Sequence, residues 1–189
     1  MPKLLVVVAS TREERVGHLV ADWVMEQVRA HGKFAPELAD LKAIGLPVLD
    51  EPKHPRLGQY KHAHTKAWSA TVTAADAFLF VTPEYNYAMP PALLNALDYL
   101  FREWAYKPGA FVSYGGQSGG MRSVQSAKPV LTTLKIMPLP EAVAIPFVSK
   151  FIKDDRFTAD ESQAKAAVAM LDELHKWAQA LAPMRAPAA

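Results

Sequence analysis

Three short segments of this chain concentrate residue types that bind small molecules. The first is Ala9-Ser10-Thr11-Arg12-Glu13-Glu14-Arg15-Val16-Gly17, just ahead of a helical apolar pattern. Hydroxyls, guanidinium groups and the free N–H groups of a starting helix together suit a phosphate. Neither a Gly-Lys-Ser/Thr ending nor a GxGxxG fingerprint is present, so this is no Walker or Rossmann loop. A loop that only caps the helix, with Arg and Glu paired to each other, reads equally well. The second segment, Thr82-Pro83-Glu84-Tyr85-Asn86-Tyr87-Ala88-Met89-Pro90-Pro91, places two tyrosines between stiffening prolines. Such a backbone can read the edge of a flat heterocycle while aromatic rings cover its face; a surface loop with packing tyrosines is the plainer alternative. In the third, Ser113-Tyr114-Gly115-Gly116-Gln117-Ser118-Gly119-Gly120, the glycines let backbone turn sharply or approach a ligand closely.

Two further patterns compete for attention. Gly116-Gln117-Ser118-Gly119-Gly120 fits the G-x-S-x-G form of a nucleophile elbow, and Asp172 and His175 follow in the order of a serine hydrolase. However, Asp172 and His175 would both have to reach Ser118 from one short patch of one helix, and the other two segments would go unexplained. His54, His62 and His64 invite a metal reading. On a helix, His62 and His64 would project about 200° apart, and no carboxylate cluster accompanies them, so solvated histidines are expected and no metal.

The elements that must position these segments are legible around them. Leu4–Val8 is a continuous apolar run, the pattern of a strand buried on both faces, Ala77–Val81 is a second strong strand, and Ala110–Tyr114, with Ser113 inside it, is a third buried strand. Phe34–Leu38 and Glu141–Ile145 are weaker strands. Thr82-Pro83 is expected to break the Ala77 strand. Helical spacing runs from Leu19 to Val28 and stops at His31-Gly32; further helices are expected over His62–Ala75, Pro91–Leu100, residues 121–137 and Asp160–Leu181. Pro129 is expected to end or kink the helix over 121–137. In the last, Ala167, Met170, Leu171, Leu174, Trp177 and Leu181 share a side. Residues 43–60 read as a proline-bearing loop, and Trp104 as either core or a ring-covering residue. Strands alternating with helices imply parallel pairing through right-handed crossovers. Five of them suggest an α/β, flavodoxin-like, doubly wound five-stranded parallel sheet of order 2-1-3-4-5. All three loaded segments then leave carboxyl ends of strands, where such sheets bind ligands.

Composition narrows the class. The 189 residues suggest one domain over 1–189, able to bury roughly 70% of its unfolded surface without disulfide or metal staples. A half-hydrophobic composition excludes a disordered or fibrous chain. The absence of cysteine removes thiolate metal sites and thiol nucleophiles, and fits a reducing, cytoplasmic setting. A net charge of +2 is too balanced to argue for nucleic acid. No apolar run approaches the ~20 residues of a membrane span, and Met1–Ala9 reads as a strand rather than a signal peptide.

Taken together, the segments resemble the NADPH-dependent FMN reductase family, whose members have a flavodoxin-like fold. The resemblance runs from KLLVVVASTREERVGHLVADWV through TPEYNYAMPPALLNALDYL and EWAYKPGAFVSYGGQSGGMRSVQ to EAVAIPF. It implies that Ser10, Thr11, Arg12, Arg15, Val16 and Gly17 hold the FMN phosphate. It further implies that Pro83, Glu84, Tyr85 and Asn86 surround the isoalloxazine and ribityl chain, and that Tyr114, Gly115 and Gly116 lie at the other side of the ring. Implied with it are NADPH or NADH as reductant and a small-molecule electron acceptor such as a quinone, azo dye, free flavin or metal oxyanion. A homodimer or homotetramer with the active site at the interface is also implied. Glu13 and Glu14 depart from the family pattern by bringing negative charge near a dianion, and Arg15 stands where a hydroxyl is usual. Hydride transfer to a flavin needs stacked approach and no protein nucleophile, so no catalytic side chain is assigned. An electron-carrier flavodoxin is the alternative outside enzymes, although such carriers are as a rule strongly acidic.

Overall fold

The computed structural model describes residues 1–185. Strands β1 (Lys3–Val8), β2 (Ala35–Asp40), β3 (Ala77–Pro83), β4 (Lys107–Tyr114) and β5 (Ile136–Ile145) form one sheet ordered 2-1-3-4-5. All four pairings are parallel. Side chains alternate across it. Leu4, Val6, Val8, Leu79 and Val81 face helices α1 (Gly17–His31) and α6 (Glu161–Leu181). Leu5, Val7, Phe78, Phe80 and Phe111 face α3 (Ala63–Ala74), α4 (Pro91–Asp98) and α5 (Met121–Thr133), together with the short α2 (Leu41–Ile44). The period of two thus builds two cores on one sheet, which explains why the central strands read as unbroken apolar runs.

Several elements depart from the sequence reading. β3 is not broken at Thr82-Pro83 but carries both, since Pro83 pairs with Tyr114 at the last rung. A proline at a strand end forfeits little of the ladder. α5 runs through Pro129 to Thr133, ending before residue 137. Burial of Ala127 and Leu131 on either side of the proline holds the axis in place. β5 starts five residues earlier than expected, at Ile136, and includes Pro138 and Pro140. It is an edge strand, where prolines are tolerated. The opposite edge strand, β2, is shifted to Ala35–Asp40 and carries Pro36. A small hairpin, β6 (Ile152–Lys153) with β7 (Arg156–Phe157), turns on Asp154 and Asp155, both at positive φ, and packs Phe157 against Trp23. The segment 43–60 is largely irregular, with one turn of 3₁₀ helix at Pro55–Leu57. On α6, Trp177 and Leu181 are only partly buried, and Ala178 takes the core position. Trp104 is core. Only His64 lies in α3; His62 precedes it, so the two rings stack 5.2 Å apart beside Asp50 rather than diverging.

Candidate functional site

The loops after β1, β3 and β4 meet at the carboxyl edge of the sheet and are tied to one another by side chains. Ser10, buried at the end of β1, shares a 2.8 Å hydrogen bond between its Oγ and Tyr85 Oη of the second loop. Tyr85 opens a two-residue hairpin closed by reciprocal bonds with Ala88, with Asn86 and Tyr87 at positive φ. That turn is narrow and rigid. Its exposed Tyr87 ring lies under the Arg122 guanidinium at 3.9 Å.

Glu84 joins the second loop to the third. It accepts from Ser118 Oγ at 2.7 Å, from the Arg122 backbone N–H at 3.1 Å and from Arg122 Nη1 at 2.9 Å. Burial alone would raise its carboxyl; these donors outweigh it and hold the group below its ordinary value. The carboxylate therefore caps the start of α5 from the neighbouring loop. Gly119 and Gly120 are folded tightly: a Cβ on Gly120 would sit 2.7 Å from Tyr114 N, and its φ is +82°. Gly116 is the open glycine, with nothing within 4 Å of a built Cβ. The carbonyls of Gly115 and Gly116 both accept bonds from the chain after β5.

The first loop divides its charges. Arg15 forms a bidentate pair with Asp40 at the end of β2, and its Nη1 also donates to Ser10 O at 2.8 Å. Partial burial would raise the Asp40 carboxyl, but the guanidinium and the Lys42 N–H hold it below its ordinary value. Glu13 is drawn away to Lys42 Nζ, 2.9 Å distant. Arg15 and Glu therefore do not pair, and Arg15 clamps the loop to β2 rather than projecting from it. Arg12 and Thr11 are exposed, and no ion pair holds Arg12 among the described residues.

Beneath this loop lies the observation that most calls for a ligand. The Tyr114 hydroxyl is buried and, although the Ser10 hydroxyl lies near it, no hydrogen bond of normal geometry reaches it. Burial pushes its pKa upward, so the phenol keeps its proton and remains a donor. It packs so closely on Gly17 that a Cβ there would lie 2.4 Å from Tyr114 Oη. Gly17 opens α1, which starts at Val16 without a side-chain cap and with no acidic residue in its first turn. A 15-residue helix thus presents unpaired N–H groups and its positive dipole end beside an orphaned hydroxyl. These residues fit the phosphate of a mononucleotide.

The sequence profile of the NADPH-dependent FMN reductase family matches residues 2–150. The chain belongs to that family. An NAD(P)H-dependent FMN reductase of Schizosaccharomyces pombe is 42% identical over 146 residues, 76% of this chain and 72% of the relative. A quinone reductase of Pseudomonas putida is 31% identical over 186 residues, covering 91% of this chain and 92% of the relative. Among solved structures, the flavoenzyme FerB, an NAD(P)H:(acceptor) oxidoreductase of Paracoccus denitrificans, superposes with a TM-score of 0.75. At 24% identity it covers 95% of this chain and 98% of its own, and it shares the fold.

Within this FMN reductase fold the hydrolase reading finds no geometry. Asp172 binds His31 at 3.1 Å and Lys33 at 2.7 Å, and His175 packs edge-on against Phe34. Phe34 directly precedes β2 at the amino edge of the sheet, whereas Ser118 follows β4 at the carboxyl edge. Sequence reasoning missed Asp40, Ser118 and Arg122 as partners of the site, because each acts through a residue distant in the chain. Beside Thr11, a cleft of about 350 Å³ opens between α2 and α4, bordered by Lys42, Leu46 and Asn95. Among the described residues no helix is long and apolar enough to cross a membrane.

Proposed function

We propose that the three joined loops hold FMN and that the chain is an NAD(P)H-dependent oxidoreductase acting on a small-molecule acceptor. The observation that carries the reading is the buried, unpartnered Tyr114 hydroxyl beside the uncapped start of α1. When bound, the flavin supplies the ring that accepts hydride and passes electrons on. The residues of the chain bind, orient and shield. Ser10, Thr11, Arg12, the N–H groups at Val16 and Gly17, and Tyr114 hold the phosphate, with Arg15 fixing the loop from behind. Pro83, Tyr85 and Asn86 present a stiff backbone to the ring, with Glu84 as the strut behind it. Gly115 and Gly116 provide the backbone on the other side, Gly116 with open space beside it. Tyr87 and Arg122 stand at the rim, where the nicotinamide and the acceptor enter by turns.

The acceptor class is that of relatives named quinone reductase and NADPH azoreductase. The reading takes the whole chain as one such domain. It also takes the active unit as a homodimer or homotetramer, supported by Val48, Leu49 and Leu94, which are exposed around α4. Leu49 N–H is fixed to Asn95 Oδ1 at 2.9 Å, so this patch is held in place.

The test is a visible spectrum of freshly purified protein, followed by anaerobic addition of NADPH. Flavin bands that bleach are the expected result. A yellow protein that does not oxidise NADPH would be an electron carrier, and a colourless one that cannot be loaded with FMN would end the proposal.

A further inference from the structure

A cavity of about 580 Å³ lies at the opposite edge of the sheet from the flavin loops. Its walls come from the segment between α3 and β3, the approach to β4, the start of β5 and the end of the chain described here. Ala75, Phe101, Ala105 and Met184 give it apolar surface. The charges around it are unequal. Asp76 is already engaged by Arg185 Nη2 at 2.9 Å and by the Lys3 N–H at 2.8 Å. Glu103 accepts from Ser69 Oγ at 2.7 Å and the Phe101 N–H at 3.3 Å. The cations are less well matched. Arg102 has no carboxylate partner among the described residues, and Lys135 Nζ reaches only the Tyr106 hydroxyl, at 3.0 Å.

Deeper in, Lys107 is 5% exposed and donates to the Val72 and Thr73 carbonyls at 2.8 and 3.1 Å. An ammonium has three donors, and no acid is bonded to this one. Burial lowers its pKa to about 8, and a nearby anion would stabilise the ammonium further. At the rim, Tyr106 and Lys135 are both held at φ +60°, and Tyr106 N–H bonds Lys135 O at 2.9 Å. Neither is glycine, so both backbones are strained, and strain of this kind gathers at ligand sites.

We propose that this cavity is a second ligand site, built for an amphipathic organic acid with a flat apolar body ending in a carboxylate. The apolar walls take the body, and Arg102, Lys135 and the Lys107 ammonium face the carboxylate. The volume lies within the range of small-molecule sites. Nothing in this inference depends on the flavin site, which occupies the other end of the strands.

Phenylbutyrate and its neutral counterpart phenylbutanol are the probes, titrated into the flavin-loaded protein by calorimetry and amide NMR. The acid is expected to bind saturably with one equivalent, shifting the amides of Ala105 and Tyr106 and the indole of Trp104. The alcohol is expected to bind at least about tenfold more weakly. In Arg102→Glu/Lys135→Glu, both changes being at exposed positions, the acid should weaken by at least about tenfold, with the alcohol and the flavin spectrum unchanged. No saturable binding, equal affinity for acid and alcohol, unchanged affinity in the double variant, or shifts confined to residues 10–17 would each overturn the proposal.

Discussion

The two edges of the sheet are both polar but are built by different rules. At the carboxyl edge, charged groups are matched across loops: Arg15 with Asp40, Glu84 with Arg122, Glu13 with Lys42. The donors left unmatched there are a neutral hydroxyl, the end of a helix and the exposed Arg12. At the amino edge, cations outnumber the carboxylates that are free to meet them, and a buried ammonium leans on backbone carbonyls. The first arrangement fixes the loops while leaving those donors free. The second tolerates a buried charge at a standing cost. Side-chain pairing fixes loops in place, whereas backbone carbonyls can hold a cation without specifying any partner.

The largest effect is expected from that cost. Lys107 titrates at about 8 against an ordinary 10.5. Between those values the unfolded chain keeps a proton that the folded chain has lost. Stability should therefore rise with pH across that window, by about 3 kcal/mol in total. Urea unfolding at several pH values measures it, and Lys107→Met should flatten the rise while leaving NADPH oxidation intact. A rise that persists in the variant would assign it to other groups and blur the contrast between the two edges.

At the carboxyl edge the strongest perturbation is Gly17→Ala, whose methyl collides with Tyr114. Overpacking of this sort costs about 1–3 kcal/mol, and flavin content should drop with it. Adding Tyr114→Phe should recover stability but not flavin affinity, because the clash and the donor leave together. Recovery of both would show that the hydroxyl does not serve the ligand. Next in size, Arg12→Ala should weaken FMN binding by about 10- to 100-fold, the worth of a charge-assisted hydrogen bond of about 1.5–3 kcal/mol. Turnover of the enzyme still loaded should change far less. Equal loading of variant and wild type would remove Arg12 from the site.

Smaller still, Glu84→Gln keeps the shape of the strut and removes its charge. A loss of about 1–2 kcal/mol and faster proteolysis within residues 84–89 are expected, with flavin retained at saturating concentration. The least effect should come from strong acid. Asp40, held below its ordinary 3.8, contributes stability above that value and loses it as pH falls through the depressed one. Asp40→Asn should therefore show a flatter acid limb than wild type when unfolding is followed across the acid range.

Much of this was readable in the chain because the central strands are buried on both faces. Leu4–Val8, Ala77–Val81 and Ala110–Tyr114 have no polar alternation to confuse with a helix, and their order yields the sheet. The edges were harder. β5 hides behind Pro138 and Pro140, and β6 and β7 are two residues each, too short for any period. The three loops could be found because glycine, proline and arginine cluster there. Their wiring could not. Arg15 and Asp40 are separated by a helix and a strand, and only the register of β1 on β2, with Val8 opposite Asp40, brings them together. The amino-edge cavity left no trace in local sequence, since its walls come from residues as far apart as Thr73 and Arg185.

The prolines in the outermost strands have a consequence beyond secondary structure. Pro36 on one margin and Pro138 and Pro140 on the other interrupt the rows of N–H donors that a stray strand would need in order to add itself. A partly unfolded molecule meeting its neighbours therefore finds a broken ladder on either flank, a poor place to start a fibre.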